Sequence, residues 1–251
     1  MLGIVGGMGP KATARLYLGL TDRFSRVSGR DLPQLMIDSI AMTRQIEDAF
    51  LAGRVGPRSP ELAEVRGLLA GAVRRLAGAG ATLIAMPCNT LQDELARSCA
   101  AQAVKHIDMI DATVDAIVRA GVERVLVLAT TTTCRADLYG AALLRHGIAC
   151  VHPSPAEQSI IEAHIRGALD LDPEHRQSGL AQLLHARRGT YDSVVIACTD
   201  LSGDLGPERL PVPVFDSLKC LAKATTSRLL RGYGARTEEP RKARLPRPQV
   251  S

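Results

Sequence analysis

Short apolar runs rich in β-branched residues alternate with longer helical patterns along almost the whole chain, and few architectures accept that alternation. Runs of this kind suit the strands of a parallel sheet covered on both faces, each strand reached through a crossover helix. Strands are read near 2–6 (LGIVG), 35–40 (LMIDSI), 82–86 (TLIAM), 124–129 (RVLVLA), 148–151 (IACV) and 193–197 (SVVIA). Helices are read near 11–28, 60–78, 90–103, 111–120, 135–145, 155–168, 174–187 and 217–231. The expected class is α/β, and 251 residues, 46% of them apolar, suffice for one large domain or two small ones.

Charge argues against nucleic acid as a partner. Of the formal net charge of +5, +4 falls in residues 231–251, and only seven aromatic residues are available as stacking platforms. The segment after Tyr233 (GARTEEPRKARLPRPQVS) is charged, proline-containing and nearly devoid of apolar residues, so 232–251 is expected to be a solvated, disordered tail. No apolar run reaches the ~18–20 residues of a membrane span, and MLGIVGGMGPK lacks the layout of a signal peptide. A cytoplasmic location with free thiols is expected.

The chain repeats one device. TLIAM-Pro-Cys88-Asn89-Thr90 and SVVIA-Cys198-Thr199-Asp200 each place a cysteine just past an apolar strand and just before polar residues, 110 positions apart. Ligands of open α/β sheets collect beyond the carboxyl ends of the strands, so the two devices are expected to face one cleft. A helix starting behind each cysteine should lower its pKa from about 8.5 and make it a usable base. Asn89, Thr90 and Thr199, with backbone N–H groups at the helix starts, would supply donors to a carboxylate. Inverting a stereocentre without a cofactor requires a base on one face and an acid on the other, which two thiols in opposite protonation states provide.

The other cysteines carry less. Cys99 and Cys220 on helical stretches, and Cys150 at a strand end, read as small buried hydrophobes, while Cys134 after a threonine-rich loop stays open. No CxxC pair or metal-type histidine spacing occurs, so no metal is expected. The turn Gly6-Gly7-Met8-Gly9-Pro10 fits neither GxGxxG nor GxxxxGK[ST]; its glycines let the backbone approach a small ligand, and Pro10 fixes the first helical turn.

With these residues in view, the chain resembles the aspartate/glutamate racemase family, in particular its aspartate-racemase branch. The resemblance rests on LGIVGGMGPKAT at 2–13, DSIAMTRQIEDAF at 38–50, PCNT at 87–90, HIDMIDATVDAI at 106–117, VLATTTT at 127–133 and ACTDL at 197–201, and it extends to about residue 231. It implies two pseudo-symmetric α/β domains, residues 1–105 plus 212–231 and residues 106–211, with an active-site cleft between them. It also implies no pyridoxal phosphate, no metal, an amino-acid substrate, and a homodimer. Carried onto matching positions, Cys88 and Cys198 are the acid/base pair. Asn89, Thr90, Thr130 or Thr131, and Thr199 bind the α-carboxylate and amino group, and Met8 and Gly9 line the pocket. Arg44 and Arg166 are the candidates for a side-chain carboxylate, each against a surface reading. Asp200 stands where the family usually has glutamate. The expected activity is interconversion of L- and D-aspartate or glutamate. A hydantoin racemase or malonate-type decarboxylase of the same superfamily, or a non-catalytic amino-acid binder, are the rivals.

Overall fold

The computed structural model describes residues 1–170, 179–203 and 210–234. Eight strands form two sheets of four, every pairing parallel. The first contains β1 (Leu2–Gly6), β2 (Leu35–Ser39), β3 (Leu83–Ala85) and β4 (Lys105–His106) in the order β2-β1-β3-β4. The second contains β5 (Arg124–Leu128), β6 (Ala149–Val151), β7 (Ser193–Ile196) and β8 (Val214–Asp216) in the order β6-β5-β7-β8. The two orders are the same order, so the expected pseudo-symmetry is present strand by strand.

Both faces of each sheet are covered, which explains why the strands read as unbroken apolar runs. In β1, Leu2 and Ile4 point to a core that includes Leu16 and Leu20 of α1 (Pro10–Ser28) and Leu221 of α10 (Ser217–Gly234). Val5 turns the other way, toward Leu69, Val73 and Leu76 of α3 (Pro60–Gly78) and Leu95 of α4 (Gln92–Ala101). The second sheet repeats the alternation. Leu126 and Leu128 meet Ile161 and Ile165 of α8 (Pro155–Asp170) and Leu183 of α9 (Leu180–Ala186). Val125 and Val127 meet Val114 and Ile117 of α5 (Met109–Ala120) and Leu143 of α7 (Leu138–Leu144).

Two segments tie the halves together. Helix α5 gives Met109 to the first sheet's core and Ile110, Val114 and Ile117 to the second's. Helix α2 (Arg44–Leu51) does the same with Ile46 and Phe50 on one side and Leu51 on the other.

The structure corrects several boundaries. The strand β8 lies within the span 212–231 assigned above to the first unit, yet it pairs with β7; only α10 returns, to pack on α1 and α5. Strand β8, three residues long, and helix α2 were not anticipated, and the strand that the resemblance suggests at His106 is the two-residue β4, which ends there rather than beginning. The helix expected over 135–145 is two pieces, α6 (Thr131–Arg135) and α7, because Asp137 adopts the left-handed conformation between them. Of the helix expected over 174–187, α9 accounts for 180–186, and 174–178 lie outside the described residues. Helix α10 runs on to Gly234, and the remainder of the expected tail, 235–251, also lies outside them.

The turn after β1 is built from necessity. Gly7 has φ 95°, and a Cβ there would stand 2.0 Å from the Ile40 carbonyl oxygen; Gly9 has φ 87°. Pro10 opens α1 at its first turn, as the sequence suggested. Gly7→Ala is therefore expected to cost about 3 kcal/mol or more, from combined backbone strain and steric clash. The measurement is the urea midpoint of unfolding; a loss under about 0.5 kcal/mol, the level of a neutral surface change, would show that the turn relaxes freely.

Candidate active site

In each sheet the chain leaves the first strand toward one edge and comes back to the other side for the third. The carboxyl ends of β1 and β3, and of β5 and β7, are therefore switch points where loops diverge and leave a crevice. The loops at these four ends, together with Met42, Glu47, Phe50 and Leu51 from the segment after β2 and Leu169 from the end of α8, line a single cleft.

Cys88 and Cys198 both line it, each following the third strand of its sheet. Their loops touch directly. The Thr199 hydroxyl donates to the Pro87 carbonyl at 3.2 Å. Asn89, buried, donates to the Ser217 hydroxyl at 3.0 Å and accepts from Tyr139 Oη at 2.7 Å. The hydroxyls of Thr90 and Thr133 lie 2.8 Å apart, with Thr130 3.0 Å from Thr133. The two thiol loops are thus clamped to one another by polar contacts rather than by apolar packing alone.

The backbone around Cys88 is held by a residue the sequence reading passed over. Gln92, fully buried, donates to the carbonyls of Cys88 (2.7 Å) and Met86 (3.2 Å), while its Oε1 accepts from the Met109 N–H at 3.1 Å. One side chain satisfies three main-chain groups and fixes the Cys88 loop to the start of α5. A glutamine four residues after the cysteine, on a polar helix start, carried no signal that set it apart.

Most of the residues expected in the site are there. Met8, Gly9, Asn89, Thr90, Thr130 and Thr199 line the cleft beside the two cysteines. Thr131 does not; its hydroxyl donates to Glu162, because α6 begins at Thr131 and turns that side chain toward α8. Arg44 and Arg166 line a smaller recess that shares Glu47, Leu51 and Leu169 with the cleft. In that recess Arg166 is already engaged, its Nη1 2.7 Å from Asp48 Oδ1. Phe50, Leu51 and Glu47 were missed because α2 was missed. Its signal was present: Thr43, whose hydroxyl accepts from the Ile46 N–H, followed by apolar Ile46, Ala49 and Phe50 at helical spacing.

The thiols differ from expectation in one respect. Burial pushes Cys88 up to about 11, against the pull of the Leu91 and Thr90 N–H groups, and the Asp200 carboxylate pushes it further the same way. Burial also holds Cys198 well above its ordinary value, followed by Asp200, whose Oδ2 lies 3.8 Å from its sulfur, and by Cys88 itself. The helix-start N–H groups do face the sulfurs, but desolvation of a thiolate outweighs them. A raised pKa makes each thiolate scarcer at neutral pH and, once formed, a stronger base toward a weakly acidic C–H bond.

Two four-stranded parallel sheets that bring duplicated thiol loops to one cleft define a two-domain α/β protein with the racemase fold. The chain belongs to the Asp/Glu/Hydantoin racemase family, an enzyme family whose model matches residues 5–225. A broad-specificity amino-acid racemase of Bacillus subtilis is 29% identical over 237 residues, covering 92% of this chain and 98% of its own. An aspartate racemase homologue of Pyrococcus horikoshii OT3 superposes with a TM-score of 0.70 at 28% identity, covering 92% and 98% of the two chains. The aspartate racemase of Picrophilus torridus shares the fold, with a TM-score of 0.68 at 22% identity over 93% and 94%. Among the described residues, no helix is long and apolar enough to cross a membrane.

Proposed function

We propose that this protein is a cofactor-independent amino-acid racemase in which Cys88 and Cys198 act on opposite faces of the substrate α-carbon. The observation that carries the reading is that both thiols, each at the end of its sheet's third strand, line one cleft. One cysteine enters as thiolate and takes the α-proton, becoming a thiol, while the electron pair stays on the α-carbon beside the carboxylate. The other cysteine, entering as thiol, delivers its proton to the opposite face and is left as thiolate. No atom is gained or lost, and the enzyme ends in the mirror protonation state, ready for the reverse turn.

Thr90, Thr130 and Thr199, with the N–H groups beside each cysteine, are proposed to hold the α-carboxylate. Asn89 contributes chiefly by bracing the loop, since its carbonyl and one amide proton are engaged. Asp200 is proposed to face the substrate ammonium. The working enzyme is proposed to be a cytoplasmic homodimer.

Aspartate and glutamate are the substrates that the resemblance implies, and their side-chain carboxylate would have to draw Arg166 away from Asp48 or reach Arg44 across the shared wall. A second reading has its own support: the described cleft lining contains the carboxyl side chains of Glu47 and Asp200 and no lysine, arginine or histidine. With Asp200 assigned to the ammonium, a described lining without a cationic side chain favours a substrate side chain that is not acidic. Chiral chromatography after incubation with L-aspartate, L-glutamate, L-lysine, L-arginine, L-methionine and L-leucine decides between them. D-isomer from the acidic pair alone supports the first reading, D-isomer from the others supports the second, and no D-isomer from any would overturn racemisation itself.

A further inference from the structure

Outside the cleft, the second sheet brings together three side chains of different donor type. Cys150 lies on β6 and His152 just beyond its end, two residues apart, so both side chains leave the same face of this edge strand. Their Sγ and Nδ1 atoms are 4.0 Å apart. The Asp137 Oδ1 lies 3.3 Å from His152 Nε2. One donor atom from each residue falls within 4.8 Å of the others.

Asp137 is held there in an unusual way. It is one of two non-glycine residues with positive φ among the described residues, at φ 49° and ψ 36°, and it precedes α7 without capping it. An aspartate at a helix start ordinarily accepts from the N–H groups of the first turn; this one turns its carboxylate toward His152 instead. The space for that carboxylate exists because residue 140 is glycine, where a Cβ would stand 2.0 Å from Asp137 Oδ1. A strained backbone, an unused cap and a bare position thus all serve to place one carboxylate beside an imidazole and a thiol.

We infer that Asp137, Cys150 and His152 form a binding site for a divalent transition-metal cation of the zinc class, with water completing the coordination. The donor set decides the class: a thiolate and an imidazole with one carboxylate suit zinc and its neighbours, whereas magnesium and calcium require oxygen donors. Cys150 and Asp137 flank different nitrogens of the imidazole, so one nitrogen takes the cation and the donor beside the other rotates toward it to reach the ~2.0–2.3 Å bond lengths zinc requires. Cys134, near enough to act on Cys150, has its sulfur 3.6 Å from Gln158 Oε1 and is left out of the donor set.

The test uses the full chain stripped with a chelator. Zinc is titrated against a chromophoric chelator, and cobalt(II) is used for its sulfur-to-metal absorption band. One equivalent should bind, with that band present. Cys150→Ser should remove the band, and His152→Ala, at a half-exposed position that leaves folding intact, should weaken binding at least about tenfold. The double variant Cys88→Ser/Cys198→Ser separates this site from the cleft and should bind as tightly as the parent. Absence of stoichiometric binding overturns the inference. So does binding that survives Cys150→Ser and His152→Ala but is lost in the double variant.

Discussion

Replacing Cys88 by serine is expected to lower interconversion in both directions by about a thousandfold, and replacing Cys198 to do the same. A hydroxyl in the same cleft is too weak an acid and too rarely an alkoxide to stand in for either thiol. The two variants should nevertheless differ. Each keeps one thiol, which is able to remove the α-proton from the enantiomer it faces and to return a deuteron to that same face. In D₂O, Cys88→Ser should therefore wash deuterium into one enantiomer without inverting it, and Cys198→Ser into the other. The double variant should racemise no more slowly than either single one by any large factor, because groups that act as a unit are not additive. Proton NMR of the α-position in each enantiomer reads all of this. If one single variant kept full racemisation, the two-base account would be wrong for that residue.

The second large effect is on pH. One thiol must lose its proton before the reaction starts, and both have pKa values raised by burial, Cys88 to about 11 and Cys198 well above the ordinary value. Throughout pH 7–9 the competent thiolate is then a minor species whose fraction grows tenfold per unit. The value of kcat/KM should climb about a hundredfold across that range. It should decline only when the pH is high enough to deprotonate the acid as well. Asp200 pushes both thiols up, so Asp200→Asn should move the rising limb to lower pH, and Asp200→Glu should restore its position. A profile flat from pH 7 to 9 would mean that a thiolate is already present at neutrality, contrary to the burial argument.

The architecture was readable because parallel strands buried on both faces leave a periodic record: Leu126 and Leu128 on one side and Val125 and Val127 on the other are visible as one apolar run. Strand β4, only Lys105–His106, is polar and too short for any period to register. Helix α2 escaped for a different reason, since its Thr43 cap stands in a stretch that reads as a loop after β2. The cysteine pair was legible because the same local context occurs twice, and the ends of equivalent strands bring both copies to the wall of one cleft. The partners of Arg166 and Thr131 were not legible, because Asp48 is 118 positions and Glu162 31 positions away, and only packing of α2 and of α6 against α8 brings them near. Thiol acidity was misjudged in sign because helix starts are visible in sequence, whereas the depth of a cleft is not.

The claim on which the rest depends is spatial: one carbon between two sulfurs. A crystal structure of the full chain with a slowly reacting amino acid bound in the cleft tests it directly. The account predicts the α-carbon between Cys88 Sγ and Cys198 Sγ, on opposite faces, each about 3–4 Å away as proton transfer requires. An amino acid bound with both sulfurs on one face of its α-carbon, or with either sulfur out of reach, would contradict it.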